Sequence, residues 1–231
     1  RYIFFNHKFF EGFTKNIIEL SDSNHSFLLP KEDDDRKITL EGGDIMVVSE
    51  NHILVGVSER TSSEAAAKIT TMLFEMGLMD KVSIVKIPKK RDYMHIDTVF
   101  TQVKRDVWVM LGNFSRKAVK HEDDNAVERI LEIKKEEKIK ITQFHRKCPD
   151  NPIQFESLED LLIDISKTDL HCENEVKFIF SGNNEFPYSA REQWTDSCNL
   201  LALKEGVVLG YDRNDKTTEA FRRAGFNIVS V

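Results

Sequence analysis

Short apolar, β-branched runs separated by one amphipathic stretch set the pattern of the chain. The runs at 44–48 (DIMVV) and 53–58 (ILVGVS) flank Ser49-Glu50-Asn51-His52, which reads as a hairpin connection. A helix is expected next, from about Ser62 to Met76, with Ala66, Ile69, Leu73 and Met76 on one face. Thr61-Ser62-Ser63-Glu64 has the form of a capping box, and Gly77 is a helix stop. Val82-Ser83-Ile84-Val85-Lys86-Ile87 then reads as a strand ended by Pro88. The order is strand, strand, helix, strand.

The same order recurs. His95 to Gln102 and Asp106 to Met110 pattern as a second hairpin. Helical stretches follow near 124–137 and 157–167, the latter opened by Ser157-x-x-Asp160, and Val176 to Phe180 closes the unit. A third copy runs through strands at Asn199 to Leu203 and Val207 to Tyr211, a helix from Asp215 to Ala224 stopped by Gly225, and a strand at 226–231. The units fall at about 40–88, 94–181 and 196–231, the second enlarged by an insertion at about 112–150. Repetition of one supersecondary unit points to a closed or stacked α/β array. An ordinary α/β sandwich with coincidental repeats fits the same pattern.

Composition narrows the field. The chain has 231 residues, a net charge of −6, and 40% hydrophobic and 31% charged residues, which suits a globular chain with a core. Ten Gly and five Pro exclude collagen-like and linker-like readings. No apolar run reaches the roughly 18 residues of a membrane helix, and the mild acidity argues against a nucleic-acid footprint. Neither nucleic acid nor a membrane is therefore an expected partner. The charge runs Lys31 to Lys37 and Lys134 to Lys140 read as a solvated loop and an exposed helix end. Cys148, Cys172 and Cys198 form no CxxC pair, and their odd count argues for reduced, cytoplasmic thiols rather than a disulfide framework. No metal-ligand spacing is present, so no metal and no cofactor is expected. The chain opens on Arg1 and the apolar run Tyr2-Ile3-Phe4-Phe5 and closes on a strand-like stretch, as if both ends were cuts through a larger fold.

Three segments invite a chemical role. In Leu40-Glu41-Gly42-Gly43-Asp44, paired glycines at a strand mouth allow positive φ and close approach to a ligand between two carboxylates; a simple turn fits equally well. In Met94-His95-Ile96-Asp97-Thr98, strand alternation would put His95 and Asp97 on one face, with Met94 and Ile96 turned inward. A carboxylate beside an imidazole makes an acid/base pair, although a half-exposed strand carries the same pattern. In Ser58-Glu59-Arg60-Thr61, the planar fork of Arg60 can clamp a carboxylate or phosphate; a surface ion pair with Glu59 or Glu64 is the plainer alternative.

These segments, with REQW at 191–194 and VVLGYDRN at 207–214, closely resemble the arginine deiminases, the five motifs standing in the family's order across most of the chain. The resemblance implies the pentein fold, a pseudo-fivefold α/β propeller of ββαβ units, with about three units and thus part of the catalytic domain in 1–231. It implies hydrolysis of L-arginine to citrulline and ammonia through a Cys-linked amidino intermediate, without metal or cofactor. His95 is then the general acid/base, Glu41 bonds near His95 and the guanidinium, and Asp97 clamps the guanidinium. Arg60 reads the substrate α-carboxylate, and Asp44 joins the substrate-binding set as a support for the loop. Arg191 and Arg213 are further candidates for which a structural role is favoured.

The departures from the family's pattern are specific. None of the three cysteines stands in the nucleophile's context, so the nucleophile is expected beyond Val231. The family's upstream aspartate and second arginine are expected before Arg1. Two other readings remain: a hydrolase of agmatine or a methylated arginine, and an inactive relative that binds arginine. Arg60 argues against agmatine, which has no carboxylate, and the intact Glu41, His95 and Asp97 set argues against inactivity. A homo-oligomer is compatible with all three.

Overall fold

A computed structural model describes residues 38–116 and 139–230. The apolar run at Tyr2, the charge run at Lys31, the helix expected at 124–137 and Val231 lie outside the described residues. Elements are numbered through the described residues in chain order.

Strands β1 (Ile45–Ser49) and β2 (His52–Val57) pair antiparallel, and helix α1 (Ser63–Glu75) returns the chain so that β3 (Lys81–Lys86) pairs parallel to β2. This pairing recurs. β4 (Phe100–Lys104) and β5 (Val107–Met110) are antiparallel, and β8 (Lys177–Phe180) lies parallel to β5 after helix α2 (Leu158–Asp164), which continues into a wider π turn, Ile165–Asp169. After helix α3 (Tyr188–Trp194), β9 (Leu201–Lys204) and β10 (Val207–Gly210) are antiparallel, and α4 (Asp215–Arg223) leads to β11 (Asn227–Ser230), parallel to β10. A parallel neighbour needs a crossover, and α1, α2 and α4 each supply one.

Two strands between β5 and α2 leave their own unit. β6 (Lys140–His145) pairs antiparallel to β3, and β7 (Ile153–Phe155) pairs with β6, so the first sheet has the order β1-β2-β3-β6-β7. The excursion therefore runs past the expected residue 150 to Phe155, which pairs with Ile141.

Local chemistry explains the helix ends. The Ser62 hydroxyl accepts from the Ala65 amide at 3.2 Å, so the N-cap of α1 is Ser62 rather than Thr61, whose hydroxyl is engaged elsewhere. Ser157 caps α2 in the same way, accepting from the Asp160 amide at 3.1 Å. Gly77 (φ 67°) and Gly225 (φ 84°) end α1 and α4 in Schellman turns: Leu78 N bonds Leu73 O, and Phe226 N bonds Phe221 O, both at 3.0 Å. Phe226 then meets Phe221 edge-to-face at 5.3 Å between centroids. Met76, expected on the buried face of α1, is instead the residue at the turn and is exposed.

The most buried strand of each sheet, β2, β5 and β10, is paired on both edges. Every residue of β2 and of β5 is buried, whereas every residue of β9 is exposed. Phe100, Trp108, Met110, Leu161, Leu162 and Phe221 anchor the main core, each worth about 1.5–3 kcal/mol of apolar burial. The Trp108 indole is satisfied inside it by Ser166 Oγ at 2.9 Å. A second, polar tie crosses from the first sheet to the end of α2. Buried His52 bonds Asp169 through Nδ1 and Ser83 through Nε2, both at 2.9 Å, and Lys81 pairs with Asp169. No helix among the described residues is long and apolar enough to cross a membrane.

Candidate active site

The chemistry-bearing residues occupy equivalent stations. Glu41 precedes β1, His95 and Asp97 precede β4, and Asn199 precedes β9, while Arg60 follows β2. Segments far apart in sequence are thereby brought to one end of the strands.

His95 is the centre. Its Nε2 lies 2.8 Å from Glu41 Oε2 and its Nδ1 lies 3.2 Å from Asp97 Oδ1. With a carboxylate facing each ring nitrogen, the imidazolium can donate from both, whereas the neutral ring donates from only one. The ring is mostly covered, its side chain 20% exposed, while Glu41 at 44% and Arg60 at 46% stay open to a ligand. An Arg60 guanidinium nitrogen stands 3.8 Å from Glu41 Oε1, and the other terminal nitrogen faces Met94 Sδ at 3.9 Å. Burial holds the Asp97 carboxyl above its ordinary range; His95 opposes this, and Asp44 and Asp196 add to it.

The geometry corrects how these residues reach the site. His95 to Thr98 is not a strand: His95 precedes a 3-10 turn, Ile96–Thr98, and β4 begins only at Phe100. His95 and Asp97 converge because the turn folds them together. Ile96 points inward as expected, but Met94 is half-buried beside Arg60. Gly42 and Gly43 do not take positive φ. Gly43 leaves room for two side chains of the chain itself: a Cβ there would lie 2.7 Å from His95 Cγ and Nδ1 and 2.9 Å from Asp97 Oδ2.

Asp44 is completely buried beneath the open residues. Its Oδ2 accepts from Ser58 Oγ at 2.6 Å and its Oδ1 from the Ile96 amide at 3.0 Å, so it supports the loop and presents no free face to a ligand. Arg191 donates to Glu192 at 3.1 Å and lies over the Tyr188 ring, and Arg213 lies over Tyr211 at 4.6 Å. Both sit in ion-pair or ring contacts of their own. Glu192 is the buried anchor of that motif: its carboxylate accepts from the Lys216 and Thr217 amides, both at 2.9 Å, at the start of α4.

Three contributors were not singled out from the sequence. Asn199 donates to Asp97 Oδ2 at 3.4 Å, Thr61 accepts from the Glu41 amide at 3.1 Å, and Ser58 accepts from the Arg60 amide at 3.0 Å. Thr61 and Ser58 lie inside the segment Ser58-Glu59-Arg60-Thr61, whose polar residues flanking Arg60 were the available signal. Asn199 carries no such signal. The three cysteines sit in different settings. Cys198 is fully buried in the main core, and burial pushes its thiol strongly up. Cys148 sits exposed in the connection between β6 and β7. Cys172 follows the Asp169 end of α2, which meets His52 at the start of β2, while Ser58 leads away from the strand's other end. At roughly 3.3 Å per residue those ends are about 17 Å apart. Among the described residues no group of three or more His, Cys, Asp or Glu side chains is placed to hold a metal.

Comparison with known proteins follows the same lines. The family model described as arginine deiminase matches residues 13–231. Arginine deiminases from Staphylococcus aureus strains JH9 and Newman are each 32% identical over 232 residues, covering 96% of this chain and 49% of theirs. The chain thus spans about half the length of the curated relatives it matches. Among solved structures, an amidinotransferase from Microseira wollei in the saxitoxin biosynthetic pathway superposes with a TM-score of 0.50 at 13% identity, over 85% of this chain and 43% of that one. At that identity the likeness concerns the α/β fold alone.

Proposed function

Since this chain belongs to the arginine deiminase family, we propose that it forms part of an enzyme converting L-arginine and water to L-citrulline and ammonia. The observation that carries the proposal is His95 held between Glu41 and Asp97, at 2.8 and 3.2 Å, with Arg60 standing beside Glu41. A guanidinium is planar, cationic and a poor electrophile. Carboxylates hold it charged and oriented for attack, and a planar Arg fork suits the α-carboxylate at the other end of the same substrate.

The reaction has two halves. A thiolate adds to the central guanidinium carbon, the C–N bond to one amino group breaks, and His95 gives that group the proton with which it leaves as ammonia. The amidino thioether that remains is attacked by water, whose proton returns to His95; the C–S bond breaks, and citrulline leaves. Asp97 takes the guanidinium in a two-point contact, and Glu41 bonds both His95 and the substrate. The thiolate comes from a cysteine other than Cys148, Cys172 and Cys198, in a complete pentein propeller of which this chain supplies about three units. The burial of Cys198 and the separation of Cys172 from His95 support that assignment.

The test is substrate turnover by the full-length protein. Citrulline is expected from arginine, with little product from agmatine; a preference for agmatine would overturn the substrate assignment. A guanidine-based thiol alkylator, mapped by mass spectrometry, is expected to leave all three cysteines unmodified as activity falls. An adduct on one of them, in step with inactivation, would sink the assignment of the nucleophile.

A further inference from the structure

Beneath Glu41, Arg60, His95 and Asp97 lies a continuous hydrogen-bond chain that none of them requires for its own chemistry. Ser58 is 1% exposed and Asp44 fully buried. The Ser58 hydroxyl donates to Asp44 Oδ2 at 2.6 Å and accepts from the Arg60 amide at 3.0 Å and the Thr61 amide at 3.2 Å. A serine hydroxyl has one donor and two acceptor sites, so its capacity is filled. Asp44 carries the chain onward to the Ile96 amide at 3.0 Å, between His95 and Asp97. Thr61 carries it the other way, its hydroxyl accepting from the Glu41 amide at 3.1 Å. The carboxylate is pressed against β2: a Cβ at Gly56 would lie 2.1 Å from Asp44 Oδ1 and 2.8 Å from Ile96 Cγ2. The glycine is required there for space, since its φ is not positive.

We propose that Ser58 is a positioning residue which, through Asp44, locks the His95–Asp97 turn in register with Arg60 and Glu41, so that the acid/base group and the carboxylate reader are set as one unit. This rests on the catalytic reading of those four residues. A full carboxylate is buried at this point, where a neutral contact would hold a loop at less desolvation cost. Its placement links two segments that are 38 positions apart at Ser58 and Ile96. Loss of the Ser58 hydroxyl frees the Arg60 and Thr61 amides directly and Asp44 Oδ2 with them, and the turn at Ile96 loosens as Asp44 shifts. The effect thus reaches both ends of the bound substrate.

The experiment has two arms on the full-length protein. In the unaltered protein, hydrogen exchange by NMR is expected to show the Glu41, Arg60, Thr61 and Ile96 amides opening with one common protection. An Ile96 amide opening independently of the other three would overturn the proposal without any variant. In the second arm, Ser58→Ala and Asp44→Asn are each expected to lower kcat for arginine about tenfold to a hundredfold, as a displacement approaching 1 Å does, and to narrow the preference for arginine over agmatine. The double variant is expected to be no worse than either single one, because residues acting as a unit are non-additive. Additive losses, or a lowered melting temperature with kcat and selectivity unchanged, would reduce Ser58 to a structural role. If the unaltered protein turned over no arginine, the catalytic reading would fail while the exchange arm still decided whether the unit exists.

Discussion

Replacing Gly43 by Ala isolates the close approach on which the site is built. The added Cβ would stand 2.7 Å from His95 Cγ and Nδ1 and 2.9 Å from Asp97 Oδ2. Nonbonded carbons settle at about 3.5–4.0 Å, so the imidazole must retreat by roughly 0.8 Å or more. A retreat of that size can stretch the His95–Glu41 bond from 2.8 Å beyond hydrogen-bonding range. Misplacement of a reacting group by about 1 Å costs about a hundredfold, or about 2.7 kcal/mol of barrier. Stability should change less, by about 1 kcal/mol, because Gly43 does not take positive φ and the His95 ring can swing toward solvent. The control is built into the sequence: a Cβ at Gly42 meets nothing within 4 Å, so Gly42→Ala should leave activity near that of the unaltered protein. Citrulline release would be measured for both variants alongside thermal unfolding. Full activity in Gly43→Ala, or an equal loss in Gly42→Ala, would refute the steric reasoning.

Three further outcomes are expected. Arg60→Ala should lower kcat/KM for arginine by about thirtyfold, about 2 kcal/mol and at the lower end for a lost charged clamp because Arg60 is half-exposed, with little change for agmatine; equal losses would mean that Arg60 acts through the fold. Asp97→Asn should abolish turnover yet raise the melting temperature at pH 7. The Asp97 carboxyl is held above its ordinary 3.8 chiefly by burial, so its ionisation penalty is full above the folded value, shrinks as pH falls through it and vanishes below 3.8; a stability difference that widened toward pH 3 would contradict this. Glu192→Ala should lose about 2–4 kcal/mol in denaturant unfolding, because its buried carboxylate accepts from Lys216 N, Thr217 N and Thr217 Oγ1; an unchanged midpoint would show that water replaces those bonds.

The local elements were largely legible because their causes are local. The strand, strand, helix, strand order follows from apolar runs and turn residues, and Gly77 and Gly225 mark helix ends because a Schellman turn needs φ > 0 there. Ser157-x-x-Asp160 marks a helix start because the Ser157 hydroxyl accepts from the Asp160 amide. The residue types of the candidate site were legible too, because a carboxylate beside an imidazole makes an acid/base pair whatever the backbone between them. Period-two alternation misplaced His95 and Asp97 on a strand, since a short polar–apolar run looks alike in a strand and a 3-10 turn.

Tertiary structure decided which group each polar residue would serve. Thr61 lost the helix cap to Ser62 because the Glu41 amide, 20 positions away, claims its hydroxyl. Ile96 folds into a turn whose amide is taken by Asp44, 52 positions upstream. Strands β6 and β7 joined the first sheet because the edge of β3 offered unpaired backbone groups. Cys198 was sealed in the core, while Asn199, next to it in sequence, reached Asp97 from 102 positions away. Sequence by itself fixes the spacing of donors, acceptors and apolar faces. Where several partners are chemically equivalent, only the packed chain selects among them, because each choice depends on which distant backbone group is buried beside it.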